Sequence, residues 1–328
     1  MPDDSISKRP RVTVVIPTWN HSTLLGECLA SLERQVYRPF SVLVVDDGST
    51  EDISGFVAAQ FPKVRTLKLS ENCGFATAIN SGIRDARGEL IFLLNNDMTL
   101  EEKCLGCLVD SLEANEADMA APLVLWRDDR DRIYSAGDVQ RVDGRPESAG
   151  HRAELAGFDV QRQVFGISAG AGLYRRAVFD EVGLFDERFV AYFEDSDLNF
   201  RARLAGFSAV CAEDAIAYHV GSASMGGRVS WRARQCYRNH TLLVLKNMPA
   251  TLLLRFGATM YREHLHQVGR VFSTVRAEAG ALRALWALAG ESLELLSLFP
   301  HALAERRRIQ KRRRISSGAL LELLKKDP

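Results

Sequence analysis

Hydrophobic and polar positions along the first hundred residues switch between two periods. Val12-Thr-Val-Val-Ile-Pro17 is a β-branched apolar run stopped by a proline, which predicts a buried strand. Over 22–35 the spacing becomes helical, with Leu24, Leu25, Cys28, Leu29 and Leu32 along one stripe. The alternation continues with an apolar run at 41–45, a helix over 51–60 and a strand near 64–69. A helix around 74–86 and a strand over 89–94 follow. This order predicts βαβ units, hence an α/β fold with a mainly parallel sheet flanked by helices.

From 120 to 170 the periodicity weakens, and charged and Gly-rich stretches predict short strands and loops facing a substrate. Short and longer helices are expected at 175–182 and 195–205, then a strand at 208–211 leading towards His219. Beyond 228 the pattern is long and helical. Charges such as Arg262, Arg270, Arg283 and Glu291 interrupt every apolar stretch, so no membrane-crossing helix is expected.

Composition adds little until the chain is divided. Hydrophobic residues make up 46% and charged residues 26% of 328, which excludes disordered and collagenous classes. Lys and Arg balance Asp and Glu at 42 each, yet residues 228–328 carry +12 and the preceding 227 carry −12. An acidic body with a basic tail points to two functional parts. The first residues lack a basic-then-apolar signal, and six scattered Cys, including Cys104-Leu-Gly-Cys107, read as reduced thiols. A cytoplasmic protein is expected.

Acidic and metal-competent groups fall just after the predicted strands. Asp46 and Asp47 follow the second strand, Asp97 follows the fourth, and His219 follows a late one. Glu194-Asp195-Ser-Asp197 opens a helix. In open α/β sheets ligands bind at that carboxyl edge. A carboxylate there can accept hydrogen bonds from a ribose or base, or share a divalent ion with a diphosphate. Singly, each cluster is equally a turn or a helix cap.

Taken in order, these motifs resemble the family 2 inverting glycosyltransferases of GT-A fold. Val14-Val-Ile-Pro17-Thr18-Trp19-Asn20 is similar to the family's opening strand and nucleotide-contacting turn, and Val44-Val-Asp46-Asp47-Gly-Ser-Thr50 to its base- and ribose-binding acidic pair. Asn72-Cys-Gly74-Phe-Ala76 with Asn80-Ser-Gly82 resembles the loop and helix beside the nucleotide. Leu93-Leu-Asn95-Asn96-Asp97 resembles the metal motif with its first Asp replaced, which assigns the metal (Mg²⁺ or Mn²⁺) to Asp97. Gly170-Ala-Gly172 and Val182–Glu187 resemble the acceptor side. Tyr192-Phe-Glu194-Asp195-Ser-Asp197 resembles the catalytic acidic motif, implying Asp195 as general base with Glu194 beside it. Ala217-Tyr-His219 resembles the segment that adds a His to the metal.

The resemblance implies a glycosyltransferase domain over 11–227, after a tail at 1–10, with a nucleotide-binding half (11–100) and an acceptor-binding half (101–227). It implies an inverting, metal-dependent transfer to a glycan or lipid-linked glycan. L-rhamnose from a dTDP donor is the first expectation, a UDP-linked galactofuranosyl or hexosyl donor the second. A non-catalytic, membrane-associated glycan-binding protein stays open, whereas a glycosidase or nucleotidyltransferase lacks supporting motifs. No nucleic-acid motif is present.

Some residues carry two readings. Trp19 stacks on a base or packs at a rim, and Tyr192 and Phe193 line a pocket or pack. Arg201 and Asp197 read as an i,i+4 surface pair, and His21, His151, His240, His264, His266 and His301 as surface residues. The basic amphipathic extension over 228–328 places seven charges within 306–314, beside Leu293, Leu296, Phe299 and Leu303. That combination predicts attachment to an anionic membrane surface at the inner face. Pro300 predicts a kink, and an oligomer is compatible with the pattern.

Overall fold

The computed structural model describes residues 10–221 and 229–325. Most of the tail at 1–10 and the expected boundary at 227 lie outside the described residues.

The strands are β1 (Val12–Thr18), β2 (Phe40–Asp46), β3 (Arg65–Lys68), β4 (Leu90–Leu94), β5 (Met98–Leu100), β6 (Met119–Trp126), β7 (Ile133–Ser135), β8 (Asp138–Gln140), β9 (Pro146–Ser148), β10 (Ala171–Arg175) and β11 (Ala209–His219). The helices are α1 (Ser22–Glu33), α2 (Ile53–Gln60), α3 (Phe75–Asp85), α4 (Cys104–Ala114), α5 (Arg176–Val182), α6 (Glu194–Leu204), α7 (Val229–Asn247), α8 (Ala250–Ala279), α9 (Ala281–Arg312) and α10 (Ser317–Leu323).

The main sheet runs β3-β2-β1-β4-β10-β6-β11-β5, with β7 on β6. The first four of these strands are mutually parallel, as the sequence predicts, and β6 pairs parallel with β11. Strand β10 enters antiparallel between β4 and β6. Neither β10 nor α4 was expected from periodicity. Strand β11 is longer than the expected 208–211, and Pro300 sits inside a helix that continues through it.

Apolar side chains leave both faces of the strands, so helices cover both. Val12, Val14 and Ile16 pack with α1, α2 and α4, whereas Val15, Leu43 and Leu93 pack with α3, α5 and α6. Burying two faces explains why these strands read as continuous apolar runs rather than alternating ones. A third cluster joins body to extension: Phe165, Phe189 and Phe200 pack against Leu242, Leu243, Met260 and Ile309. The Lys325 amide donates to Gln140 O, and the Val142 amide to Lys325 O, stitching the last turn to the body.

Two readings are corrected here. Arg201 and Asp197 are not a surface pair. Both are buried, their Nε–Oδ2 contact is 2.9 Å, and Arg201 also donates to the carbonyls of Val182, Gly183 and Leu184. Nor is the basic run wholly outward. Arg306 donates to Leu245 O and Met248 O at the end of α7, and Arg312 and Arg314 bind Glu181. Among the described residues no helix is long and apolar enough to cross a membrane.

Candidate functional site

The carboxyl ends of β1, β2 and β4 bring the first polar clusters together. Parallel register sets Thr18 beside Asp46, and Asn96, just past β4, donates to Thr18 Oγ1 at 2.8 Å. Thr18 Oγ1 in turn donates to Asn20 O. The Asn20 side-chain Oδ1 accepts from the Thr50 amide at 2.9 Å and the Glu51 amide at 3.2 Å, tying the two turns. Pro17 is buried in β1, and Trp19 is exposed at the rim.

Asp46 and Asp47 differ in use. Asp46 is fully buried; Oδ1 accepts from the Ser49 amide, and Oδ2 has no hydrogen-bond partner. Asp47 accepts the Cys73 and Gly74 amides at 2.8 and 3.0 Å, which draws the 71–74 loop over the turn. Burial raises its affinity for a proton, and those two amides counter it. Gly48 is required between them: its φ is +68°, and a Cβ would lie 2.3 Å from the Glu71 carbonyl carbon. Asn72 is exposed on that loop. Asn80 stands apart, its amide bonded to Phe185 N, Phe185 O and Glu187 Oε1.

Asp97 and His219 meet because β5 and β11 pair antiparallel with His219 opposite Met98. His219 Nε2 lies 3.2 Å from Asp97 Oδ2, and both residues are buried. Asp97 Oδ1 and His219 Nδ1 have no partner, so the pair retains donor atoms for a ligand. Among the described residues no group of three His, Cys, Asp or Glu forms a protein-only metal cage. Two ligands still fit a divalent ion whose shell is completed by diphosphate oxygens and water. Tyr134 stands edge-on to the His219 ring with centroids 4.3 Å apart.

The acidic motif opens α6 after a contorted approach. Val190, Tyr192 and Phe193 all have positive φ, between 61° and 72°. Such a run persists only if the surroundings hold it. Asn239, fully buried on α7, does so: its Nδ2 lies 2.8–2.9 Å from the carbonyls of Phe189, Ala191 and Tyr192. Half-buried Asp195 accepts the Ser196 amide at 2.7 Å. Burial raises its proton affinity, opposed by the Ser196 and Ala169 amides and by the helix N-terminus. Burial and the Asp195 charge push Glu194 up to about 8.

Sequence reasoning missed Asp138, which lies in the loop-like region. It is buried, and burial with the Asp195 charge raises its pKa well above the usual range. Tyr174, also missed, has a buried hydroxyl without a partner, and burial raises it as well. An acid inside an otherwise apolar β7–β8 stretch was the available signal for Asp138. His240 is not a surface residue, since it is buried and binds Asp143 O, and His301 is half-buried and binds Asp186. All six Cys are free, and Cys28, Cys104 and Cys211 are buried.

A folded protein that keeps the Glu194 proton up to about 8 loses stability as pH rises from 4.5, where an unfolded glutamate ionises. Glu194→Gln is therefore expected to flatten the fall of Tm across that window, as read by thermal melts at stepped pH. An unchanged slope would place the buried proton elsewhere.

Comparison with known proteins gives a consistent picture. The family model described as Glycosyl transferase family 2 matches residues 13–183. The chain is 30% identical over 240 residues to an N-acetylglucosaminyl-diphospho-decaprenol L-rhamnosyltransferase of Mycobacterium tuberculosis, covering 65% of this chain and 77% of that one. The mannosyltransferase PcManGT from Pyrobaculum calidifontis, solved with GDP-Man and Mn²⁺, aligns over 97% of this chain and 88% of its own at 19% identity and TM-score 0.55. GalNAc-T7, solved with UDP, GalNAc and Mn²⁺, aligns over 73% of this chain and 48% of its own at 13% identity and TM-score 0.56. Likeness at that identity carries the GT-A fold alone.

Proposed function

The chain belongs to glycosyl transferase family 2, and we propose that it transfers L-rhamnose from dTDP-rhamnose to a hydroxyl of a lipid-linked glycan with inversion. A UDP-linked sugar is the alternative donor. The observation that carries the catalytic part is a desolvated carboxyl, Asp195, held at a helix N-terminus by a strained approach. The sugar choice leans on the mycobacterial relative, whose name specifies rhamnose and a diphospho-decaprenol acceptor.

In this reading Asp195 takes the proton of the acceptor hydroxyl as its oxygen attacks the anomeric carbon. The nucleoside diphosphate leaves from the opposite face, which inverts the centre. Burial and the Asp195 charge raise both Glu194 and Asp138, which favours leaving the negative charge of the cluster on Asp195. Asp97 and His219 would hold a divalent ion, Mg²⁺ or Mn²⁺, which supplies positive charge for the leaving diphosphate. Pro17, Thr18, Asn20, Asp46, Asp47, Asn72, Gly74 and Asn96 form the nucleotide rim, and Asp46 Oδ2, which makes no hydrogen bond and lies 3.8 Å from Lys68 Nζ, is the acceptor for a donor group of base or ribose. Asn80 is left out because its amide is spent on Phe185 and Glu187.

A thermal-shift panel of dTDP, UDP, GDP and CMP, each with and without Mn²⁺ or Mg²⁺, tests the donor site. Binding to the folded state alone raises Tm in proportion to ligand saturation. The expected result is a rise with dTDP that needs the metal. A rise with UDP instead selects the alternative donor, and no rise with any pair rejects the reading.

A further inference from the structure

Helices α8 and α9 pack against α7 and each other through Val271, Val275 and Ala284, and leave an outer face that nothing covers among the described residues. On α9 the inner positions are Ala284, Glu291, Ala302 and Ile309. The opposite side carries Leu282, Trp286, Leu293 and Leu296, which are 67–78% exposed. On α8 the positions turned away from its packed face include Leu254, Tyr261 and Leu265, between 50% and 88% exposed. These spacings make each a continuous apolar stripe. Contiguous exposure of this kind marks an interaction surface.

Charge selects the occupant. The five acids of the two helices are mostly turned to the protein: Glu263 pairs with Arg145, Glu291 with Arg234, Glu294 with Arg238, and Glu278 with Ser230, while Glu305 pairs with Arg308 along α9. The cations Arg270, Arg276, Arg283, Arg307 and Lys311 are exposed. Continuing down the α9 stripe, the outer positions change from Leu293 and Leu296 to Arg307 and Lys311. There a cleft opens between the start of α8 and the end of α9, lined by Arg306, Arg307, Gln310 and Arg313 with no acid on its walls. A second copy of the same cationic surface would be repelled. An anionic bilayer meets both halves of the α9 stripe, with acyl chains against its apolar part and headgroup phosphate at the cationic cleft.

We propose that the outer stripe of α9, from Trp286 to the Arg307 cleft, lies on an anionic lipid bilayer. The surface differs from the basic run as such, because Arg312 and Arg314 serve internal contacts and Arg306, on the cleft wall, already donates to Leu245 O. The proposal does not depend on the identity of the donor.

Co-sedimentation of the full chain with phosphatidylcholine vesicles, with and without phosphatidylglycerol, tests it. The wild type is expected to sediment with the anionic vesicles and stay behind with the zwitterionic ones. Leu282→Ser/Trp286→Ser/Leu293→Ser should weaken that partitioning at least tenfold with an unchanged Tm, since no core contact is lost. Arg307→Glu/Lys311→Glu should abolish the lipid preference. Folded wild type that ignores anionic vesicles overturns the proposal, as does equal binding to both kinds. A dimer in ultracentrifugation that the triple variant dissociates also overturns it, in favour of a second copy. The nucleotide-dependent thermal shift reports the donor site separately, so failure here and failure of the transferase reading are distinguishable.

Discussion

Asp195→Asn is expected to lower turnover by about 10³-fold, within the range that a positioned general base contributes. The substitution keeps the shape and an oxygen to accept the Ser196 amide, which lies 2.7 Å away. It removes a charge that burial disfavours, so Tm should hold or rise slightly. Nucleotide affinity should also survive, because the residues proposed for the donor rim lie at the ends of β1, β2 and β4, whereas Asp195 opens α6. Activity of the wild type should gain with pH on the alkaline side of the ordinary carboxylate range, the direction in which Asp195 and its neighbours are shifted. Single-turnover release of nucleoside diphosphate measures the chemical step. A variant retaining more than a tenth of wild-type turnover would remove Asp195 from the role of base.

The second large effect concerns Lys246, a residue with no part in the chemistry. It is 1% exposed and sits between two buried acids, with Nζ 2.5 Å from Asp186 Oδ2 and 2.9 Å from Asp197 Oδ1. Arg201 and Asn247 also reach Asp197, and His301 reaches Asp186. Burial opposes the charge on both carboxyls, but the lysine, together with His301 and the Arg188 amide at Asp186 and with Arg201 and Asn247 at Asp197, outweighs it and holds both below the usual range. Lys246→Met leaves two acids short of a cation in a desolvated place, which costs about 3–5 kcal/mol. The urea midpoint should fall with little change in slope. Adding Asp186→Asn should recover part of the loss, since the two changes share one interaction. Independent, additive losses would mean that the knot carries no coupling. The same logic has a pH direction. Carboxyls depressed in the fold contribute stability above their unfolded values, and that contribution fades as acid protonates them.

The contrast between these two residues shows what the chain made legible. Val12–Thr18, Phe40–Asp46 and Leu90–Leu94 were readable because strands buried on both faces need unbroken apolar runs. Asp97 was visible as an acid in the turn after Leu90–Leu94 and Asp195 as one of the acids that open a helix, but their proposed roles came from the resemblance of the whole motif series. Strand β10 was not visible, since Ala-Gly-Leu-Tyr-Arg is too short to show a period and its partners come from β4 and β6, far away in sequence. Helix α4 was hidden by its own cysteines: the Cys104–Cys107 spacing of three is also one helical turn, and the first thiol is core. The Asp197–Arg201 spacing was visible, but its burial was not, because the covering Lys246 and Asn247 arrive about fifty residues later. Asp138 gained its meaning only when folding set it near Asp195. Local pattern reveals elements; it does not reveal what a distant element will cover.

That dependence on late residues has a consequence for synthesis. Asp186 and Asp197 leave the ribosome well before Lys246, and His301 follows after more than another fifty residues. A nascent chain halted near residue 225 could pair Asp197 with Arg201 and Asp186 with Arg188, but it would lack the buried lysine that bridges the two acids. The loop ahead of Asp195 would likewise await Asn239. The nucleotide half can therefore form during translation, while the acidic end of the cleft stays open until the helices beyond residue 229 have emerged and docked.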